Sequence, residues 1–233
     1  MNERFPKVFK IPSWEDIPFL VHGFGTKHWR EEDFKRHKKL KDFKLLFLRQ
    51  IHSDTIHVID QIPVKGLTGD AMLTKQKGVL LIIKTADCLP VLMVDRMQKA
   101  VAAVHCGWKS TSQGMIQKVV KSMEMHFGCE SSSLLIAMGP CIGRYCYEVG
   151  DDVRQEFERN GLSLKPLHLH ASQREKYFLD LKEANGLQLV DVGVSESNIL
   201  EVDLCTHCED DLLSYRRDKK SSGRMLSFIG LSF

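Results

Sequence analysis

The chain has 233 residues, 43% of them hydrophobic, which is enough to bury a substantial apolar core, so residues 1–233 are expected to form a single domain. Its formal charge of +3 arises from 33 basic and 30 acidic residues that are mostly interspersed, a solvated surface and not a nucleic-acid footprint. The N-terminal segment carries acids early and no apolar core, and no stretch approaches the roughly 20 apolar residues of a membrane span, so neither a signal peptide nor a membrane span is expected and a cytoplasmic protein is.

The densest basic patch, KRHKKLKDFK at 35–44, reads as an exposed helix or loop, with an anion-attracting face as the alternative. Residues 79–94 form a continuous β-branched run that predicts a strand buried on both faces, in which Asp87 and Cys88 stand out just before Pro90. KAVAAVHCGW at 99–108 predicts a second strand after the turn-like DRMQK, and the two are expected to be adjacent central strands. Next, Met115, Ile116, Val119, Val120, Met123 and Phe127 fall at helical spacing, with Ser110 or Thr111 to cap the start and Gly128 to end it.

A short strand at SLLIAMG leads into the loop GPCIGRYCYEVG at 139–150. Asp151 or Asp152 then opens a helix to about Asn160, where Gly161 supplies the stop. HASQREK at 170–176 reads as a surface loop and LDLKEANGLQLVDVGV as a helix, followed by strands near NILEVD and at RMLSFIGL. Strands and helices mixed without strict βαβ alternation predict an α+β fold, a layered α/β sandwich around a mixed central sheet.

Seven cysteines, an odd number, without an export signal argue for reduced thiols, whose importance would lie in metal binding or nucleophilicity. Three segments place metal-competent residues where strands end: His52 in RQIHSDTIHVID, Cys88 in TADCLP and His105 in AAVHCGW. They are 36 and 17 residues apart, too far for a zinc knuckle, so only a tertiary fold can unite them. A catalytic zinc keeps three protein ligands and one open position, which His52, Cys88 and His105 would satisfy. By spacing alone this set competes with core histidines and an inert buried thiol. His57 and Cys106 fall on opposite strand faces from His52 and His105. The pair in CTHC, Cys205 and Cys208, has metal-ligand spacing but no second pair to complete a structural site; Cys141 and Cys146 lie in a Gly/Pro loop and rank lower.

Read in order, HGFGTK (22–27), QIHSDTIHVID (50–60), GDAMLT (69–74), TADCLPVLMVD (85–95), VAAVHCGW (101–108), GPCIGRYCYEVG (139–150) and CT through SYRRD to GRMLSFI (205–229) resemble one family over nearly the whole chain. That family comprises the bacterial and animal proteins once called multicopper polyphenol oxidases and now regarded as purine nucleoside phosphorylases. The resemblance implies that His52, Cys88 and His105 bind zinc, with copper as the alternative ion, and that Asp87 supports the site from beside it. This chain departs from the family pattern at HCGWKS, at Ser53 and at Gly25, Thr26 and Lys27. Lys27 and Lys109 in place of arginine lose bidentate phosphate geometry.

The resemblance further implies phosphorolysis of adenosine, inosine and S-methyl-5'-thioadenosine to a free base and a sugar 1-phosphate, with adenosine deamination as a second activity, by a monomer that binds no nucleic acid. On this reading Cys88, His105 and Asp70 are catalytic, Asp70 also orients ligand or substrate, and Arg49 helps bind phosphate. The bland alternatives are a turn at Asp70 and a surface ion pair at Arg49. A copper-dependent oxidase is disfavoured because the ten histidines offer only HLH at 168–170 as a paired element. A zinc-free thiol hydrolase, Cys88 as nucleophile and His105 as base, is the second rival, and a metal-stabilised binding module the third. Trp108 and Tyr147 can stack on a base or belong to the core; Arg216 and Arg217 can contact an anion or pair at the surface.

Overall fold

The computed structural model describes residues 5–61, 66–169, 176–219 and 223–233. In chain order the first strands are β1 (Val8–Phe9), β2 (Leu20–Gly25), β3 (Lys44–Arg49), β4 (Ile56–Val58), β5 (Leu67–Thr68), β6 (Ala71–Thr74) and β7 (Val79–Thr85). They continue as β8 (Leu89–Asp95), β9 (Ala100–Cys106), β10 (Leu135–Met138), β11 (Glu148–Gly150), β12 (Leu167–Leu169), β13 (Lys176–Leu179), β14 (Ile199–Glu201) and β15 (Met225–Leu231). The helices are α1 (Glu31–Arg36), α2 (Trp108–Ser112), α3 (Met115–Phe127), α4 (Asp151–Arg159), α5 (Leu181–Asp191) and α6 (Tyr215–Asp218).

The α+β class holds, and the strands divide between two large mixed sheets where one central sheet was expected. One runs β1-β2-β15-β7-β3-β5, the other β14-β10-β8-β9-β6-β4, and a small third sheet runs β11-β13-β12. Each large sheet combines antiparallel ladders with parallel pairs, β3 with β7 and β5 in the first, β10 with β14 and β4 with β6 in the second.

The apolar run at 79–94 is therefore two strands. β7 pairs with β15 in the first sheet and β8 with β9 in the second, so the chain changes sheets at Ala86, Asp87 and Cys88. Asp87 takes φ +87, a left-handed conformation that no strand contains. The hydrophobic pattern hides this corner because both strands are buried on both faces. Val79, Leu81 and Ile83 point between the two sheets to meet Leu92, Val94, Val101 and Ala103, while Leu80 and Ile82 point outward to Phe34, Phe43 and Phe228. The outer face of the second sheet carries α3, α4 and α5 through Met115, Val119, Met123, Phe157 and Leu189.

The expected α3 is present and ends at Gly128, but its cap is Gly114 at φ +69, not Ser110 or Thr111. Those two residues are buried inside α2, an extra short helix ahead of it. Of the surface loop expected at 170–176, only Lys176 lies within the described residues, and it begins β13. Among the described residues no helix is long and apolar enough to cross a membrane.

His22 on β2 is 4% exposed and its Nε2 accepts the Ile11 N–H at 2.9 Å, a geometry that requires neutral imidazole. Burial, reinforced by Lys10, brings its pKa down to about 4. An imidazole in the unfolded chain titrates near ~6.5, so between those values the unfolded state binds the extra proton. Stability is complete above pH ~6.5 and falls as pH drops toward 4, by about 2 kcal/mol from this residue between pH 7 and 5. Urea unfolding at both pH values, repeated on His22→Gln, should show that the variant loses this part of the slope.

Candidate metal centre and cavity

The site forms where three strand ends converge. His52 lies in the turn after β3, Cys88 immediately precedes β8 at the sheet-switching corner, and His105 sits on β9 opposite Pro90 of β8. Cys88 Sγ lies 3.8 Å from His52 Nε2, the two imidazole centroids are 4.8 Å apart, and the ligand atoms of all three residues lie within 4.8 Å of one another. The alternation of β9 turns Cys106 into the core, and His57 on β4 instead contacts the Thr68 carbonyl, so neither joins the group.

Asp70, fully buried just before β6, organises this centre. Its Oδ1 accepts from His105 Nδ1 at 2.8 Å and from the His52 N–H at 3.0 Å; its Oδ2 accepts from the Ser53 N–H at 2.7 Å, Ser53 Oγ at 2.8 Å and the Ile51 N–H at 3.3 Å. These bonds hold the 51–53 turn, in which His52 has φ +59. They also keep the His105 proton on Nδ1, leaving Nε2 toward Cys88. Burial alone would raise the Asp70 pKa, but the bonds from His105 and Ser53 outweigh it and hold the carboxyl at about 2. Burial likewise opposes charge on Cys88 and His105, yet their contact, with His52 beside the thiol and Asp70 behind the imidazole, brings Cys88 down to about 6 and His105 up to about 9. The group can hold a metal: two imidazoles and a thiolate, one imidazole backed by a buried carboxylate, are a borderline-soft donor set that suits zinc.

The centre opens into a cavity of about 650 Å³. Trp108 and Tyr147 line it, both half-buried, and Lys84, Arg216 and Arg224 add positive charge to its wall. Asp87, also in the wall, accepts from Thr206 Oγ1 at 2.7 Å and from the Arg216 N–H at 2.6 Å. It thus ties the corner to the two segments that follow residue 204, and it is not among the three grouped residues.

Arg49 is exposed and does not line the cavity, whereas Leu48 and Gln50 do, as alternation along β3 requires. Gln50 bonds both the N–H and the carbonyl of Lys84 at 2.8 Å, continuing the β3–β7 ladder into the wall. The SYRRD pair divides. Arg217 donates to the carbonyls of Thr206, His207 and Leu212, binding that loop, while Arg216 faces the cavity with its guanidinium over the Tyr147 ring. Lys27 pairs with Asp211, and Lys109 lies over the outside of Trp108; neither lines the cavity. Gln50, Tyr215 and Arg224 lie in segments that match the family but were not singled out as site residues; Lys84 lies in none, and its charge in the apolar run LLIIKT was the available clue.

The profile of a family described as multi-copper polyphenol oxidoreductase laccase matches residues 29–232. The chain belongs to this family. Among its members, a protein of Clostridium acetobutylicum named purine nucleoside phosphorylase is 35% identical over 98% of this chain and 99% of its own. A purine nucleoside phosphorylase of Bacteroides thetaiotaomicron is 35% identical over 69% of this chain, which spans only 60% of that relative's length. A protein from an unidentified prokaryote named adenosine deaminase is 34% identical over 80% of the chain and 74% of its own. The solved structure of YlmD from Geobacillus stearothermophilus superposes with a TM-score of 0.86 at 28% identity, covering 99% of this chain and 98% of that one. The family relatives are thus enzymes of purine nucleoside chemistry despite the oxidase name.

Proposed function

We propose that the chain is a zinc-dependent purine nucleoside phosphorylase that cleaves adenosine, inosine and S-methyl-5'-thioadenosine to free base and sugar 1-phosphate, with adenosine deamination as a side activity. The observation that carries this reading is a cavity in which a His52/Cys88/His105 centre, two aromatic side chains and three cations share one space. Trp108 and Tyr147 offer flat faces for a purine. Arg216 and Arg224, with Lys84, supply the charge that an incoming phosphate dianion needs, the part first assigned to Arg49. Phosphate oxygen attacks the sugar anomeric carbon as the carbon–nitrogen bond breaks and its electron pair passes to the base, which takes up a proton. A bound zinc supplies Lewis acidity, acidifying water and stabilising negative charge. Asp70 acts behind His105 as a positioning residue.

Copper oxidation is disfavoured by the donor count: among the described residues His52 and His105 are the only histidines lining the cavity, too few for a multicopper cluster. The thiol-hydrolase reading has one specific observation behind it, the Asp70, His105, Cys88 relay with its lowered thiol pKa. It leaves unexplained why His52 is held in a left-handed turn with its ring beside Cys88.

Chromatography of adenosine incubated with the zinc-loaded protein, with and without phosphate and beside Cys88→Ala, tests the proposal. Phosphate-dependent adenine that disappears in the variant is expected. Inosine as the sole product would make deamination the main activity, and full turnover after chelation would establish the thiol reading.

A further inference from the structure

A second cluster of soft ligands lies outside the nucleoside cavity. Cys146 follows a short turn in the 139–150 loop, and Cys205 and Cys208 bound the CTHC turn; their Sγ atoms lie within 4.8 Å of one another, with Cys146 and Cys208 3.4 Å apart. The third thiol that CTHC lacks in sequence thus arrives from 59 residues upstream, as counted from Cys146 to Cys205. Sulfurs bound tetrahedrally at about 2.3 Å around one zinc lie about 3.8 Å apart, close to the spacing observed.

The backbone around the cluster is arranged for a thiolate. The Gly143 N–H donates to Cys205 Sγ at 3.1 Å, and the CTHC turn is closed by the Cys208 N–H donating to the Cys205 carbonyl at 3.2 Å. A Cβ on residue 143 would stand 3.2 Å from Cys205 Sγ, so the close approach of this amide favours glycine. A disulfide between Cys146 and Cys208, the pair 3.4 Å apart, would leave Cys205, the sulfur with the amide donor, outside it. A thiophilic ion uses all three.

We propose that Cys146, Cys205 and Cys208 form a second metal site, a three-thiolate zinc clip with its fourth position open to water or an external ligand. Its place in the fold gives it a structural task. The clip joins the loop carrying Tyr147 to the loop whose Thr206 bonds Asp87 and whose carbonyls Arg217 gathers, and so fixes two walls of the cavity relative to each other. Metal binding here does not depend on which reaction the cavity performs.

Cobalt titration of the full-length, fully reduced Cys88→Ala protein isolates the clip, because that variant has no thiolate at the first centre. A near-ultraviolet thiolate-to-cobalt absorption that saturates at one equivalent is expected, lost in Cys88→Ala/Cys208→Ser. Cys208 is exposed, so its replacement should leave the far-ultraviolet circular dichroism unchanged. Native mass spectrometry of the unsubstituted chain provides an independent count, with a second zinc expected beside the first. No thiolate absorption in reduced Cys88→Ala, or absorption unaffected by Cys208→Ser, overturns the proposal. So does a reduced protein that takes up no second ion and instead forms a Cys146–Cys208 disulfide in air.

Discussion

Asp70→Ala is expected to lower stability by about 3–5 kcal/mol and to weaken zinc binding at least ~10–100-fold. Asp70 has no solvent contact and accepts five hydrogen bonds, one from an imidazole and the rest from the 51–53 turn. Alanine leaves those donors facing an apolar methyl in a space closed to water, and each buried donor without a partner costs about 1–3 kcal/mol. The left-handed conformation at His52, compensated in the native chain by the Asp70 bonds, then lacks its restraint. His105 loses the acceptor that fixes its tautomer, so one ligand is mispositioned and another is set loose by a single change.

Asp70→Asn separates the two effects. Its amide oxygen still accepts from His105 Nδ1, but its NH2 group faces the Ser53 N–H and hydroxyl, donor against donor. Stability should fall by less than in the alanine variant, with much of the zinc affinity kept. Urea denaturation of the metal-free proteins and competition with a chromogenic chelator measure the two quantities separately; equal losses in both variants would mean that Asp70 acts only as a charge.

What the sequence made legible was the grouping of His52, Cys88 and His105, through the family resemblance, and the helical side of the fold. α4 and α5 carry clear stop and start signals in Asp151, Gly161 and Asp180, and β9 is a short apolar run with a turn before it. The division of 79–94 between two sheets was not legible, because hydrophobic periodicity reports burial and not which sheet does the burying; Pro90, which cannot donate to a ladder, was the local hint. β1, β2, β4 and β5 are not legible because they are short or interrupted by polar or glycine residues, as in LVHGFG. The partnership of Cys146 with the CTHC thiols, and the place of Lys84 and Arg224 in the cavity wall, were not legible for another reason. Each stands in the site only through a tertiary contact, and spacing along the chain carries no record of it.

Gly107→Ala should reduce zinc affinity about 10–100-fold while leaving stability within about 0.5 kcal/mol. Gly107 precedes α2 with φ −83, which alanine adopts without strain, so the backbone has no reason to resist the change. The added Cβ, however, would stand 2.9 Å from Cδ2 of His52 and 3.2 Å from Cys88 Sγ. Cys88 is held by the corner at the start of β8, whereas the His52 side chain is exposed and can swing outward, so the ring yields. The result is a folded protein whose centre has lost one ligand and retained Cys88 and His105. That outcome contrasts with Asp70→Ala, which should damage fold and centre together, and it turns the glycine of HCGW into a test of whether His52 belongs to the metal site. If zinc affinity in Gly107→Ala matched that of the unsubstituted protein, His52 would be a neighbour of the centre and not a ligand, and the relay from Asp70 through His105 to Cys88 would become the stronger account of the chemistry.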